Sequence, residues 1–152
     1  MKSGRFWIGF LGVFGFLFIF NWLVHGILLN GLYAQSPTVW RPKSDMRYLF
    51  QWLVFSQVAF AFVFCLIFTK GYENRGTGEG VRYGFLIGAL FAPTHLGWYA
   101  LIPIPISLVF AWVVATLVEY TLAGGIMAAM YKTPEPPPAA SSSSADETQP
   151  LP

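Results

Sequence analysis

Four stretches of the chain, 7–29, 49–69, 83–102 and 106–130, are apolar runs long enough to cross a lipid bilayer. Each holds about 20 residues or more, and a hydrocarbon core of ~30 Å takes about 20 at helical rise. Strands of a membrane barrel would alternate polar and apolar positions, and FLGVFGFLFIF (10–20) does not. Backbone groups in lipid must be satisfied within their own segment, so the four runs are predicted to be helices. The expected fold class is therefore all-α, a transmembrane four-helix bundle over 1–132. A Pro-, Ser- and Ala-rich tail, TPEPPPAASSSSADETQPLP (133–152), has too little apolar content to bury a core and is predicted to be disordered.

The polar joints differ in kind. In NGLYAQSPTVWRPKSDMR (30–47), Pro37 and Pro42 forbid regular helix, and Trp40 beside Arg41 suits a headgroup region. GYENRGTGEGVR (71–82) is glycine-rich. In IPIP (102–105), Pro103 and Pro105 end one helix and start the next, predicting a tight hairpin of the last two spans. The two halves show no repeat of the inverted kind found in many transporters. The first run follows a basic start, Met-Lys-Ser-Gly-Arg, as a signal peptide would. It is longer than the 7–15 residues of a signal's apolar region, so a retained span is expected.

Composition agrees with this pattern: 55% of the 152 residues are hydrophobic, 11% are charged and mean hydropathy is +0.55. The net charge of +2 is too small and too dispersed for a nucleic-acid reader. With both termini on one side, that side holds Lys2, Arg5, Lys70, Arg75, Arg82 and Lys132, against Arg41, Lys43 and Arg47 on the other. The positive-inside rule then places both termini in the cytoplasm of a cell membrane. The single cysteine, Cys65, lies in an apolar run with no metal-ligand neighbour and reads as a small hydrophobe. Trp7, Trp40, Trp52 and Trp98 sit near expected interfaces, as anchors do.

Five polar side chains inside the spans are the candidates for chemistry: Asn21 and His25 in the first, Gln57 in the second, His95 in the third and Glu119 in the fourth. At ~1.5 Å per residue, Asn21 and Gln57 lie ~12 Å from the outer helix ends, His95 ~10 Å, His25 ~6 Å and Glu119 ~20 Å, which predicts a polar layer. Asn21 and His25, four apart, share a helix face. Gly80, Gly84, Gly88 and Ala92 form a stripe of small residues that lets another helix approach closely. His95 continues that stripe, and Glu119 has Ala115 and Ala123 one turn to either side, so both are expected to look into the bundle. With no Lys or Arg in any span to pair with, Glu119 is expected to be a neutral hydrogen-bond donor. Pro93, two residues before His95, frees a backbone carbonyl one turn earlier.

Two accounts fit such a layer. Hydrogen bonds between side chains can knit the helices together, or Glu119 can relay a proton or bind an ion. Other chemistries have weaker support. His25, His95 and Glu119 are metal-ligand types, but no HxxxH or HExxH pair is present, and neither a metal nor a cofactor is expected. GTGEG has the glycine density of a phosphate cradle without its preceding strand or its GK[ST] ending. The serines inside the spans, Ser56 and Ser107, have no base at a useful spacing, so an enzyme is not expected.

FNWLVHGILLNGLY, WRP, FTKGYENRGTGEGVRYGFLIG and IPISLVFAWVVATLVEY, in that order, resemble small uncharacterised four-span bacterial membrane proteins. In those proteins an Asn-Trp-x-x-His first helix and a Lys-Gly-Tyr…Gly-x-x-x-Gly start of the third recur. The resemblance covers most of 15–130 and implies the topology and a bacterial inner-membrane setting, with no activity to carry over. The leading expectation is a non-enzymatic structural, assembly or subunit protein. Its glycine stripe, expected to be exposed, would favour homo-oligomers or other membrane subunits. The alternative is a small permease or proton-coupled carrier using Glu119 and His95.

Overall fold

Pro42, Gly76 and Pro105 stand at the N-caps of three long helices, where a missing N–H or a non-helical backbone does no harm. The computed structural model describes residues 3–132; Met1, Lys2 and the tail 133–152, with the disorder expected of it, lie outside the described residues. The helices are α1 (Ser3–Leu23), a single-turn α2 (Asn30–Tyr33), α3 (Lys43–Gly71), α4 (Thr77–Leu101) and α5 (Ile106–Tyr131). Four segments are long and apolar enough to cross a membrane: Gly4–Leu28, Ser44–Gly71, Thr77–Leu101 and Ile106–Tyr131. The fold is all-α, as the pattern predicted, and has the make-up of a multi-pass membrane protein.

The helices outrun the apolar segments. α3 begins at Lys43 and α4 at Thr77, each with an acidic residue in its first turn (Asp45, Glu79), where the helix dipole favours negative charge. Glu79 also reaches back over the glycine-rich joint. It accepts the backbone N–H of Glu73 at 2.6 Å and of Arg75 at 2.8 Å, around positive φ values at Asn74 (62°) and Gly76 (82°). GTGEG is thus a helix cap. At the other joint, the Ile104 N–H donates to the Ile102 carbonyl at 2.9 Å and turns α4 sharply into α5.

The closest packing in the bundle is between these two helices. Gly80, Gly84, Gly88 and Ala92 are buried along the face of α4 that lies on α5. A Cβ on Gly84 would strike the Tyr120 carbonyl oxygen, one on Gly80 the Gly124 carbonyl, and one on Gly88 would lie 3.1 Å from the Leu117 Cα. The stripe is therefore filled within the chain, and the expectation that it is exposed for a second copy is corrected. α5 also packs on α1, where Met127 and Met130 cover Gly9 and Gly12.

α3 closes one end of the bundle and leaves the other. In its second half Ala61, Phe64, Cys65 and Phe68 are buried at helical spacing with Phe6, Val13 and Leu17 of α1 and Ala123 and Met127 of α5. The Tyr83 hydroxyl of α4 donates to the Phe64 carbonyl at 2.6 Å. At the same end Arg5 donates to the Lys132 carbonyl at 2.9 Å, and Tyr72 meets Tyr131 edge to face. The first half of α3 is outward-facing, with Tyr48 74% and Trp52 63% exposed. The end opposite the termini is built instead from α1, α4, α5 and the α1–α3 joint.

The α4–α5 approach predicts a sharp asymmetry between glycines. Gly84→Ala should lose roughly 1–3 kcal/mol by overpacking. Gly97→Ala, where an added Cβ has open space, should lose nothing. Thermal unfolding of both variants in one mild detergent checks this.

Candidate functional site

At Val24–Leu28 α1 widens into a π-helical turn, closed by the Leu29 N–H on the Val24 carbonyl at 2.8 Å. Such turns concentrate at functional sites because the extra residue re-aims side chains. Here it carries His25, whose Nδ1 lies 2.6 Å from the Tyr33 hydroxyl of α2. Trp112 of α5 donates its indole N–H to the same hydroxyl at 2.8 Å, and Trp40 donates to the Tyr33 carbonyl at 3.2 Å. Tyr33 thus ties α1, α5 and the joint together. An indole can only donate, so the hydroxyl accepts from Trp112 and has its own proton to offer the His25 ring.

The second link is between Asn21 of α1 and Glu119 of α5. The Asn21 amide nitrogen donates to Glu119 Oε1 and also to the Leu17 carbonyl of its own helix at 2.9 Å. Glu119 is 7% exposed, and its other oxygen takes no hydrogen bond among the described residues. The third link joins α4 to α5: His95 Nε2 lies 2.8 Å from the Thr116 hydroxyl, and its ring is 5.6 Å from that of Trp112. α4 passes through Pro93 as one helix.

These groups surround a partly open pocket of about 330 Å³, with His25, His95, Thr116 and Glu119 among its lining. Tyr33, Trp40, Trp98 and Trp112 supply its aromatic walls, and Ile102 its edge. Of the five polar residues expected in one layer, Asn21, His25, His95 and Glu119 meet here. Gln57 does not. It is not among the pocket's lining, and its Oε1 is buried without a hydrogen-bond partner among the described residues. Among the described residues no three His, Cys, Asp or Glu side chains stand close enough to hold a metal ion.

Several wall residues escaped the sequence reading. Trp40 was expected as a headgroup anchor, yet it folds inward edge-on to Tyr33, ring centres 5.0 Å apart. Trp112, Thr116 and Glu119 follow one another at steps of four and three, which puts them on one helix face, and that spacing was the available signal. Tyr33, in a joint, gave none. Thr116 beside His95 is also a hydroxyl–imidazole pair that a search among serines passes over. A catalytic version needs a third group orienting the other ring nitrogen, and His95 Nδ1 has no such partner among the described residues.

The Asn21–Glu119 link predicts an asymmetry between its ends. Asn21→Leu strands a buried carboxyl and should lose roughly 1–2 kcal/mol. Glu119→Leu should lose less, because Asn21 keeps its bond to Leu17. The double Leu variant should recover most of the loss, since removing both partners leaves nothing unsatisfied. Melting temperatures of the three variants in one detergent test this; an unchanged Asn21→Leu would show that the link does not hold α1 to α5.

No family model, curated protein or solved structure matches the chain; its residues and their geometry are what speak for its function.

Proposed function

We propose that the chain is a small membrane carrier, non-enzymatic and proton-coupled, that takes up its substrate in the pocket at the end opposite its termini. One observation carries this reading. The buried carboxyl of Glu119 shares a pocket of about 330 Å³ with two imidazoles, and one of its oxygens has no hydrogen-bond partner among the described residues. A carboxyl placed only to knit helices is best satisfied on both oxygens, because an unmade bond in a low-dielectric interior is costly. An intramembrane carboxyl that keeps an acceptor toward a cavity suits proton or substrate exchange. The π-helical turn gives that end of the bundle an irregular backbone, and Trp98 and Trp112 give it amphipathic rings, as in such cavities.

A second reading, a packing or assembly subunit, is favoured by the same hydrogen bonds seen as fasteners. Asn21–Glu119 and His95–Thr116 each tie α5 to a neighbour. The excess of Lys and Arg at the end with the termini supports a cytoplasmic position for that end, so the pocket would face outward. The resemblance to uncharacterised four-span proteins supports a bacterial inner-membrane setting.

The full chain reconstituted in liposomes, under an imposed proton gradient, tests the carrier reading. The vesicles are offered a defined mixture of small amines, carboxylates, sugars and amino acids, and their contents are read by mass spectrometry. At least one compound should accumulate beyond protein-free vesicles, depend on the gradient, and fall to background in Glu119→Gln. Accumulation equal to protein-free vesicles for every compound would leave the assembly reading standing instead.

A further inference from the structure

The pocket's walls identify the charge of what it takes. Tyr33, Trp40 and Trp112 are inclined to one another, Tyr33–Trp40 at 82° and Trp40–Trp112 at 74°, with ring centres 5.0 and 6.2 Å apart. Tyr33 and Trp112 are tilted at 41° with centres 6.2 Å apart, so the three rings form one inclined cluster along the pocket wall. Trp98 and the His25 and His95 rings line the same pocket, and three of the chain's six tryptophans lie in it. Aromatic rings grouped around a cavity offer negative π faces to a cation within it, which is how proteins hold ammonium groups that have no N–H to donate. Among the described residues Glu119 supplies the one carboxyl of the lining, and no Lys or Arg lines the pocket. The hydrogen bonds of the Trp112 and Trp40 indoles to Tyr33 fix two of the rings in place, so the wall is built before a ligand arrives.

We infer that the pocket is a cation cage, whose ligand is a small organic ammonium compound held by the aromatic wall with the Glu119 carboxylate as its counter-ion. This rests on the carrier reading and names its substrate class. Proton balance follows directly. Glu119 enters as the carboxylic acid, loses its proton to solvent as the cation seats, and regains it when the cation leaves. One positive charge replaces another in a low-dielectric site, and no bond other than that O–H is made or broken. The titratable groups facing the cage are His25 from the π-helical turn, Tyr33 from α2, His95 from α4 and Glu119 itself from α5. Of these, only the carboxyl can offer a negative charge near neutral pH without deprotonating a phenol.

The test is tryptophan fluorescence titration of the full chain in detergent with three probes of similar size: choline, its uncharged isostere 3,3-dimethylbutanol, and butyrate. Choline should bind at least roughly tenfold more tightly than dimethylbutanol, with butyrate weakest. Trp112→Leu and Glu119→Gln should each weaken choline by roughly tenfold while leaving dimethylbutanol within about twofold. Gln keeps an acceptor for Asn21, so that variant preserves the α1–α5 link. Trp40→Leu, in the joint and packed against Ile104, Leu108 and Val109, gives a second reading of the aromatic wall and should also weaken choline. Choline release of close to one proton per site, measured in a weakly buffered solution, should vanish in Glu119→Gln. Equal affinity for choline and dimethylbutanol would overturn the cation cage and leave a binding pocket, as would a preference for butyrate, which would assign the ligand to the two histidines. Binding of none of the three would overturn the cage and remove the main support for a carrier.

Discussion

The contact between α4 and α5 sets the geometry of everything else in this bundle. Along Gly80, Gly84, Gly88 and Ala92 the two backbones come so near that a single added methyl meets a carbonyl oxygen or an α-carbon of the partner. Lipid offers helices no hydrophobic reason to associate, so contact of this kind, many weak van der Waals pairs at close range, is what holds them. The short IPIP turn fixes their register. Once register is fixed, the next residue of the stripe, His95, can only fall beside Thr116, which is where the hydrogen bond forms.

The same pair of helices explains why there is a pocket. Beyond Ala92 the facing residues change from glycine to His95 and Trp98 on α4, and to Thr116 and Trp112 on α5. Large rings cannot continue the glycine approach, so space remains between the helices where the small residues end. Protein interiors normally close such space, because unfilled volume forfeits contacts. Here collapse is resisted by bonds around the rim. Tyr33 is tied to His25, Trp40 and Trp112, and Asn21 to Glu119, so moving any wall inward breaks a hydrogen bond in a medium with few replacements.

Much of this was legible in the sequence because lipid imposes strict rules. Length and hydropathy gave four helices; the prolines and glycines of the joints gave their ends; the i+4 stripe gave the packing face of α4. Four of the five intramembrane polar residues were placed on faces that do meet. What stayed hidden depends on three-dimensional detail that periodicity does not carry. Gln57 sits at a suitable depth, but depth does not say which helices enclose the pocket, and Gln57 is not in its lining. The π-helical turn arises from one extra residue per turn over Val24–Leu28, and no local composition marks it. Tyr33 and Trp40 belong to an irregular joint, where side-chain direction follows no period at all.

That division bears on how function is placed in a molecule of this kind. The end near the termini is closed by aromatic packing and by the Arg5–Lys132 link, and its buried side chains are almost wholly apolar. The opposite end has lost α3 as a wall and gained a folded-in joint in its place. Polar side chains inside a membrane bundle are expensive unless they are paired, and this chain gathers Asn21, His25, His95, Thr116 and Glu119 at that one end. Pairing accounts for the amide of Asn21, the hydroxyls of Tyr33 and Thr116 and one nitrogen of each histidine. It leaves the second oxygen of Glu119 facing a cavity walled by rings. Packing alone is served by the first oxygen, through Asn21, and would be served better still by a second bond at the other.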